Sequence, residues 1–293
     1  MKDILPPLRK QLPESIVKIL RHVFEAADDM GSGAFLIGAA ARDLIFEYVY
    51  DAKIQRATED LDFGVAVATW DDYQRLKTLL LDKKKFREDP KQEQRIWWTG
   101  TSPQMRIDLV PFGGLETPEA RIAFPPSGDF TMSTLGFREV SEDLWSVDIS
   151  DDLRIEVASL AGIVVLKFVA YNDRPEQRHR DIQDIFFIAE NYLDAGNEDR
   201  LYDSEAGDAD LLDNENFDYK TAGARLLGRD IASLVNADTR SIILTTLGYD
   251  PESGSLDKLN DIVNRNRFRD PERDHRTVNV FQELKRGIED RGL

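Results

Sequence analysis

The sequence predicts an α+β protein with a mixed β-sheet in its first half and a helical second half. A short apolar run, residues 34–37, stops at Gly38 and is followed by helical spacing, which is typical of a strand, a tight turn and a helix. Residues 60–67 and 105–110 alternate between apolar and polar side chains, as strands with one buried face do. After residue 155 the apolar side chains recur at helical spacing instead.

The first half contains further elements in order. Apolar side chains spaced i, i+3, i+4 and i+7 between Pro13 and Gly31 predict an amphipathic helix, with Pro13 in its first turn. The segments 39–50 and 70–80 predict two more helices. Proline and glycine residues separate short β-rich pieces that extend or flank the sheet, at residues 121–124, 130–140 and 144–149.

The second half predicts a separate helical domain. We place a domain with the mixed sheet at residues 1–157 and a helical domain at 158–293, with an acidic loop near 190–218. This loop has eleven carboxylates and one arginine, and blocks of like charge rarely pack. It is therefore expected to be a solvated loop or a flexible insertion.

The composition limits the function classes. With 38 basic and 55 acidic residues the net charge is −17, which argues against a protein that holds nucleic acid mainly by its phosphates. The acidic loop carries −10 of that total, so local basic patches elsewhere stay open. The chain has no cysteine, no apolar run of membrane-spanning length and no apolar leader at its start. We expect a soluble, cytoplasmic protein with no membrane partner.

Three features of the first half predict a site for metal-assisted phosphate chemistry. Asp60 and Asp62 lie two apart on a predicted strand, so their carboxylates share one face and repel each other unless a cation lies between them. Asp108 alternates with apolar neighbours on a later strand and could reach the same place. Hard divalent cations such as Mg²⁺ prefer oxygen ligands of this kind. The turn at Gly38 and Ala39 would let backbone N–H groups approach a phosphate.

Each feature alone has a simpler explanation. A glycine turn is most often a plain connection, and an Asp-x-Asp pair on an amphipathic strand is most often a solvated face. Their occurrence in one half of the chain favours the site.

These residues resemble the nucleotidyltransferases of the DNA polymerase β superfamily. The segments that carry the likeness read IGAAARD from Ile37, TEDLDFGV from Thr58 and RIDLVPFG from Arg106. A helical signature from Val165, VLKFVAYNDRPEQRHRDIQDIFFI, is similar to that of the AbiEii toxin-like branch. The likeness spans roughly residues 34–190.

The resemblance implies an enzyme that moves NMP from an NTP to an acceptor hydroxyl with two Mg²⁺ (or Mn²⁺) ions. It implies a toxin-like action, on RNA or tRNA, with an antitoxin protein as partner. By the same resemblance the catalytic and metal-binding residues are Asp60, Asp62 and Asp108. The predicted nucleotide-binding residues are Gly38, Ala39, Arg42, Lys167, Asp181 and Asp184. Ala39 departs from the family, which often has glycine or serine there, so a hydroxyl contact to phosphate is lost.

Alternatives stay open at three points. Lys167, in an otherwise apolar helix, either meets a phosphate or forms a structural ion pair with Asp181 or Asp184. The acceptor could instead be a protein or a small molecule of the aminoglycoside type, which the acidic composition favours. The chain could also be a nucleotide-binding relative without catalysis, for which Ala39 is the only hint.

Overall fold

The computed structural model describes residues 4–54, 58, 60–83, 85–203, 207–212, 218–248, 255–265 and 270–291. The chain divides into two compact units, residues 1–159 and 160–293. The predicted fold class is confirmed, since the first unit contains a mixed sheet and the second is built from helices.

A seven-stranded sheet forms the centre of the first unit. Its strands follow the order β3-β4-β5-β2-β1-β9-β8. β2 lies parallel to β5 and antiparallel to β1, and β1 lies parallel to β9. The strand bounds are β1 Ala34–Ile37, β2 Asp60–Val67, β3 Phe86–Glu88, β4 Arg95–Trp98, β5 Met105–Gly113, β8 Leu144–Ser150 and β9 Leu153–Ala158. A separate two-stranded sheet pairs β6 Arg121–Ala123 with β7 Thr131–Ser133.

The helices of the first unit follow the predicted pattern. α1 (Glu14–Asp29) and α3 (Trp70–Leu81) confirm the first and third predicted helices. Thr69 and Asp72 form a capping box that fixes the start of α3. The second predicted helix consists of α2 (Gly38–Asp43) and a π-helical continuation, Leu44–Val49.

Two expectations for the first unit need correction, and two strands were not predicted. The piece 130–140 is a strand only as far as Ser133, because Gly136, with φ +83°, precedes a short helix, α4 (Phe137–Glu142). The strand at 105–110 continues through Pro111 to Gly113. The edge strand β3 and its neighbour β4 were not predicted, since the charged residues around them hide the alternation.

The second unit consists of helices packed around an apolar core. Their bounds are α5 Leu160–Asp173, α6 His179–Glu190, α7 Tyr219–Leu234, α8 Ala237–Thr246, α9 Ser255–Val263 and α10 Pro271–Asp290. α7 and α10 approach so closely at Gly228 and Gly287 that a Cβ on Gly228 would lie 2.2 Å from the carbonyl oxygen of Leu284. Within the described residues, no helix combines the length and apolarity that crossing a membrane requires.

The acidic stretch is folded where the structure describes it, so the expected solvated loop is wrong there. It forms 3-10 turns at Leu193–Ala195, Glu198–Leu201 and Ala209–Leu212. Asp208 is only 1% exposed and accepts hydrogen bonds from Arg200, Arg229 and Arg291. The stretch's own Arg200 and two arginines from outside it, Arg229 and Arg291, therefore neutralise its buried charge. Residues 204–206 and 213–217 lie outside the described part.

Candidate active site

Three neighbouring strands of the first unit carry charged side chains on one face. In the parallel pair β2 and β5, Asp60 lies opposite Arg106 and Asp62 opposite Asp108. In the antiparallel pair β4 and β5, Arg95 lies opposite Asp108. Residues paired across strands project to the same side of a sheet. These five side chains therefore lie together, and we refer to them as the acid face.

Two of the acids on this face are paired with arginines. Arg95 donates from Nε and Nη2 to the two carboxylate oxygens of Asp108, at 2.7 and 2.9 Å. Arg106 forms an ion pair with Asp60 through Nη2, and its Nε lies 3.8 Å from Asp108 Oδ2. The hydrogen bonds to Asp108 raise the pKa of Arg95 above its usual value. The charge of Arg95 therefore offsets part of the repulsion among the carboxylates.

The turn after β1 lies directly against the second acid. Gly38 has φ +71°, in the left-handed region that favours glycine. A Cβ at Gly38 would lie 2.6 Å from Asp62 Oδ2, closer than real Cβ atoms come. Gly38 is thus required both by its backbone angle and by the approach of the Asp62 carboxylate. Ala39 follows it in the first turn of α2 and is half-buried.

Arg42, which we predicted to bind nucleotide, is buried and paired with its neighbour Asp43. It is 4% exposed and donates from Nε to Asp43 Oδ1 at 2.8 Å. Asp43 Oδ2 in turn accepts from the backbone N–H of Thr58 at 3.1 Å. This pair anchors the chain shortly before β2, the strand that carries Asp60.

The second unit contains the other predicted nucleotide-binding residues as one buried group. Lys167 on α5 donates to Asp181 Oδ1 at 2.9 Å and to Asp184 Oδ2 at 2.7 Å, both on α6. Burial lowers the pKa of Lys167, but the two carboxylates outweigh it and raise the pKa above its usual value. The lysine is therefore charged and already paired. This geometry is the structural ion pair that we kept as the alternative to a phosphate contact.

The structure thus collects the predicted residues in two places. It brings Gly38, Asp60, Asp62 and Asp108 together in the first unit, and it brings Lys167, Asp181 and Asp184 together in the second. Sequence reasoning missed the two arginines of the acid face. The alternation Arg106-Ile107-Asp108 contained a signal for the first, since residues two apart in a strand share a face. Arg95 could be placed only once β4 was known.

The acid face fits a hard divalent cation in its chemistry. Its three carboxylates offer only oxygen ligands, on rigid strands, with Asp62 and Asp108 directly opposite each other. Among the described residues no three His, Cys, Asp or Glu side chains are already grouped as a metal site. The arginine pairs account for this at the acid face, because Asp60 and Asp108 are engaged by Arg106 and Arg95. An ion bound there would take carboxylate oxygens from those arginines.

Comparisons with known proteins identify the family. Residues 44–237 match the family described as nucleotidyl transferase AbiEii toxin, type IV TA system. No curated protein matches the chain significantly. Among solved structures, JHP933 from Helicobacter pylori is similar at 13% identity, with 96% of each chain covered and a TM-score of 0.40. The CCA-adding enzyme from Thermotoga maritima, in complex with tRNA, is similar at 14% identity, with 97% of this chain and 68% of that chain covered and a TM-score of 0.31. Structural likeness this weak carries no argument about activity.

The family match covers well over half of the sequence. It includes the acid pair on β2, the third acid on β5 and the Lys167 group. The chain belongs to the AbiEii toxin family of nucleotidyltransferases.

Proposed function

We propose that this nucleotidyltransferase moves NMP from an NTP to a hydroxyl group of RNA, with tRNA as the leading acceptor, and that it depends on Mg²⁺ or Mn²⁺. The observation that carries the proposal is the position of Asp62. Its carboxylate lies between the Gly38 turn and Asp108, so a site for phosphate and a site for a cation coincide. Neither a plain strand connection nor a solvated sheet face requires that contact.

In this proposal, the residues of the first unit have two roles, metal binding and phosphate binding. Asp60, Asp62 and Asp108 would hold the divalent cations, which neutralise triphosphate charge and activate the acceptor hydroxyl when bound. Gly38 and Ala39 lie in the first turn of α2, where backbone N–H groups have no partner within the helix and can donate to phosphate oxygens. Ala39 retains that N–H, so the loss of a side-chain hydroxyl removes only one of the contacts.

The second unit contributes through the Lys167 group. Lys167 has two carboxylate partners, so a contact with phosphate would require it to exchange one of them. Asp181 Oδ2 is buried without a hydrogen-bond donor among the described residues, although the Arg178 guanidinium lies 3.8 Å away. We propose that the family role of this group in nucleotide handling acts through such an exchange.

The cellular setting follows from the same proposal. A chain that consumes NTP and modifies RNA would work in the cytoplasm, and a member of a toxin family would be held in check by an antitoxin protein. Both are proposals that rest on the family.

A second candidate acceptor is favoured by the net charge of −17. An acidic protein attracts basic ligands and repels polyanions over long range. A small basic molecule of the aminoglycoside type, or a basic protein segment, would meet less electrostatic resistance than RNA. The chemistry at Asp60, Asp62 and Asp108 would be unchanged, so only the acceptor differs.

One gel experiment tests these candidates. The purified protein is incubated with each α-³²P-labelled NTP, Mg²⁺ and total tRNA, beside the double variant Asp60→Asn, Asp62→Asn. Label on tRNA with the wild type alone would support RNA as acceptor. Label that appears only when a protein extract or an aminoglycoside replaces tRNA would select the second candidate. NTP binding by calorimetry with no labelled product from any acceptor would contradict catalysis.

A further inference from the structure

One side chain of the acid face is only partly satisfied in its present contacts. Arg106 pairs with Asp60 through Nη2, while its Nε is buried and finds no hydrogen-bond acceptor among the described residues. That Nε lies 3.8 Å from Asp108 Oδ2, too far for a hydrogen bond. Buried donors without acceptors are uncommon in folded proteins. In this position the guanidinium of Arg106 has a partner for Nη2 but no acceptor for its Nε–H among the described residues.

The two arginines of this face differ in how firmly they are held. Arg95 forms a two-point pair with Asp108 at 2.7 and 2.9 Å, the strongest geometry available to a guanidinium and a carboxylate. Arg106 lacks the second hydrogen bond, and its side chain is 38% exposed against 21% for Arg95. Of the two, Arg106 is the one that can leave its carboxylate at low cost.

The two arginines neutralise most of the negative charge of the acid face. Three aspartates and two arginines give the acid face a net charge of −1. Without the arginines, three carboxylates would repel one another on adjacent strands. A divalent cation that approaches this face meets both its ligands and a positive guanidinium already beside Asp60. The cation and Arg106 therefore compete for the same carboxylate oxygens.

We infer that Arg106 is the internal counterion of the metal site, which neutralises Asp60 while no cation is bound and is displaced when one enters. The inference rests on the proposed function, because it takes the acid face as the place of the divalent cation. Arg106 is a positioning residue in this account. It holds the carboxylates in register on the empty face and sets the concentration of cation at which the site fills.

Calorimetry with Mn²⁺ in the absence of nucleotide tests the inference on the full chain. The variant Arg106→Gln removes the competing charge, and we expect it to bind Mn²⁺ roughly tenfold more tightly than the wild type, from the repulsion of a unit charge at a half-exposed site. The matched control is Arg154→Gln. Arg154 is also paired with an aspartate across neighbouring strands, since it donates to Asp148 between β9 and β8 at the other end of the same sheet. Its loss should leave Mn²⁺ affinity unchanged.

A melting experiment separates this role from a purely structural one. Without metal, Arg106→Gln should melt below the wild type, because the carboxylates repel. Added Mn²⁺ should raise its melting temperature by more than it raises that of the wild type. A residue that only supports the fold would lower the melting temperature and leave the metal-induced rise unchanged, which would overturn the inference.

A measurement on the wild type avoids dependence on the variant. The Nε–H signal of Arg106 in ¹⁵N NMR should shift on titration with Mg²⁺ and saturate together with binding, while that of Arg154 stays fixed. An Arg106 signal that does not move while Mg²⁺ binds would overturn the inference.

The variant Asp62→Asn separates failure of the inference from failure of the proposed function. If Asp62→Asn abolishes Mn²⁺ binding but Arg106→Gln binds no more tightly than the wild type, the inference fails and the proposed metal site stands. If Asp62→Asn binds Mn²⁺ as the wild type does, the metal site is wrong and the inference fails with it.

Discussion

Both units contain a cluster of aspartates and arginines, but the two clusters differ in their exposure to solvent and in how many of their polar atoms have hydrogen-bond partners. On the acid face, the side chains that form ion pairs are 14% to 38% exposed. One guanidinium nitrogen there, Nε of Arg106, has no hydrogen-bond acceptor among the described residues. In the second unit, Asp208 is 1% exposed and receives three guanidiniums, those of Arg200, Arg229 and Arg291. We refer to these four residues as the Asp208 network.

Under the proposed function, this difference separates a site that can exchange its partners from a structural support. A buried carboxylate that is satisfied from several sides has nothing to offer a cation, and it is costly to disturb. A partly exposed set of carboxylates, held by arginines that do not fully satisfy it, can exchange partners. The presence of acidic residues is therefore not informative by itself, whereas their exposure and their partners are.

The largest expected effect is on catalysis at the acid face. If the proposed metal site is right, Asp62→Asn should lower the rate of nucleotidyl transfer by about a thousandfold or more, because a ligand of the cation that stabilises several kcal/mol of transition-state charge would be lost. Its unfolding free energy should change little, since removal of one of three like charges relieves repulsion. Single-turnover kinetics and urea unfolding measure the two quantities. A variant that keeps its rate would contradict the role of Asp62.

The Asp208 network should respond in the opposite way. Asp208→Asn should lower the free energy of unfolding by about 2–3 kcal/mol, because three guanidiniums lose a buried charged acceptor that they share. Arg200 keeps its pair with Asp230, and Arg229 keeps its pairs with Asp210 and Asp290. Any loss of transfer activity should follow the folded fraction only. Urea unfolding monitored by circular dichroism gives the stability, and a change below about 1 kcal/mol would show that the network is not a support.

This contrast explains what the sequence could predict. The alternation of apolar and polar residues around Asp60, Asp62 and Asp108 predicted that each acid lies on the polar face of its strand. Together with the family likeness, it allowed the three acids to be placed at one site. The Asp208 network could not be predicted, because its partners lie up to 83 residues away in the chain. A block of like charge looks solvated until distant arginines are known to meet it.

The helical elements were predictable for a similar reason. Local spacing of apolar side chains predicts α1 and α3, and the structure confirms both, with a capping box at the start of α3. The strands β3 and β4 depend on pairing with β5, a tertiary contact that overrides weak local patterning. Arg95 was missed as a consequence, whereas Arg106 could have been found from its register with Asp108.

The next effect sharpens the role of the Gly38 turn. Gly38→Ala and Gly31→Ala both place a side chain at positive φ, at +71° and +63°, which should cost each variant about 1–2 kcal/mol of stability. Only at Gly38 would the new Cβ meet the Asp62 carboxylate, since nothing lies within 4 Å at Gly31. We expect Gly38→Ala to lose about a hundredfold in transfer rate per folded molecule through displacement of Asp62. Equal rates in the two variants would remove the functional reason for the contact.

The smallest effect concerns the pH dependence of an outer ion pair in the second unit. Burial raises the pKa of Asp290, but hydrogen bonds from Arg225 and Arg229 outweigh it and hold the pKa below its usual value of 3.8. The stability that this carboxylate contributes is therefore present above pH 3.8 and is lost as the pH falls through the lower folded-state pKa.

The variant Asp290→Asn measures that contribution. At about pH 6 it should be less stable than the wild type by up to about 1 kcal/mol, as expected for a partly exposed pair. The difference should shrink below pH 3.8, in urea unfolding at a series of pH values. A difference that stays constant into strong acid would show that the hydrogen bonds do not depend on the charge of Asp290.

The most direct test of the central claim is the transfer rate per folded molecule, measured with labelled NTP and Mg²⁺ on the acceptor identified by the gel experiment, for the wild type, Asp62→Asn and Asp208→Asn. The account predicts that Asp62→Asn is folded and inactive, while Asp208→Asn is less stable but transfers at the wild-type rate for every folded molecule. Transfer by folded Asp62→Asn at the wild-type rate would contradict it, because the acid face would then not be the place where the reaction occurs.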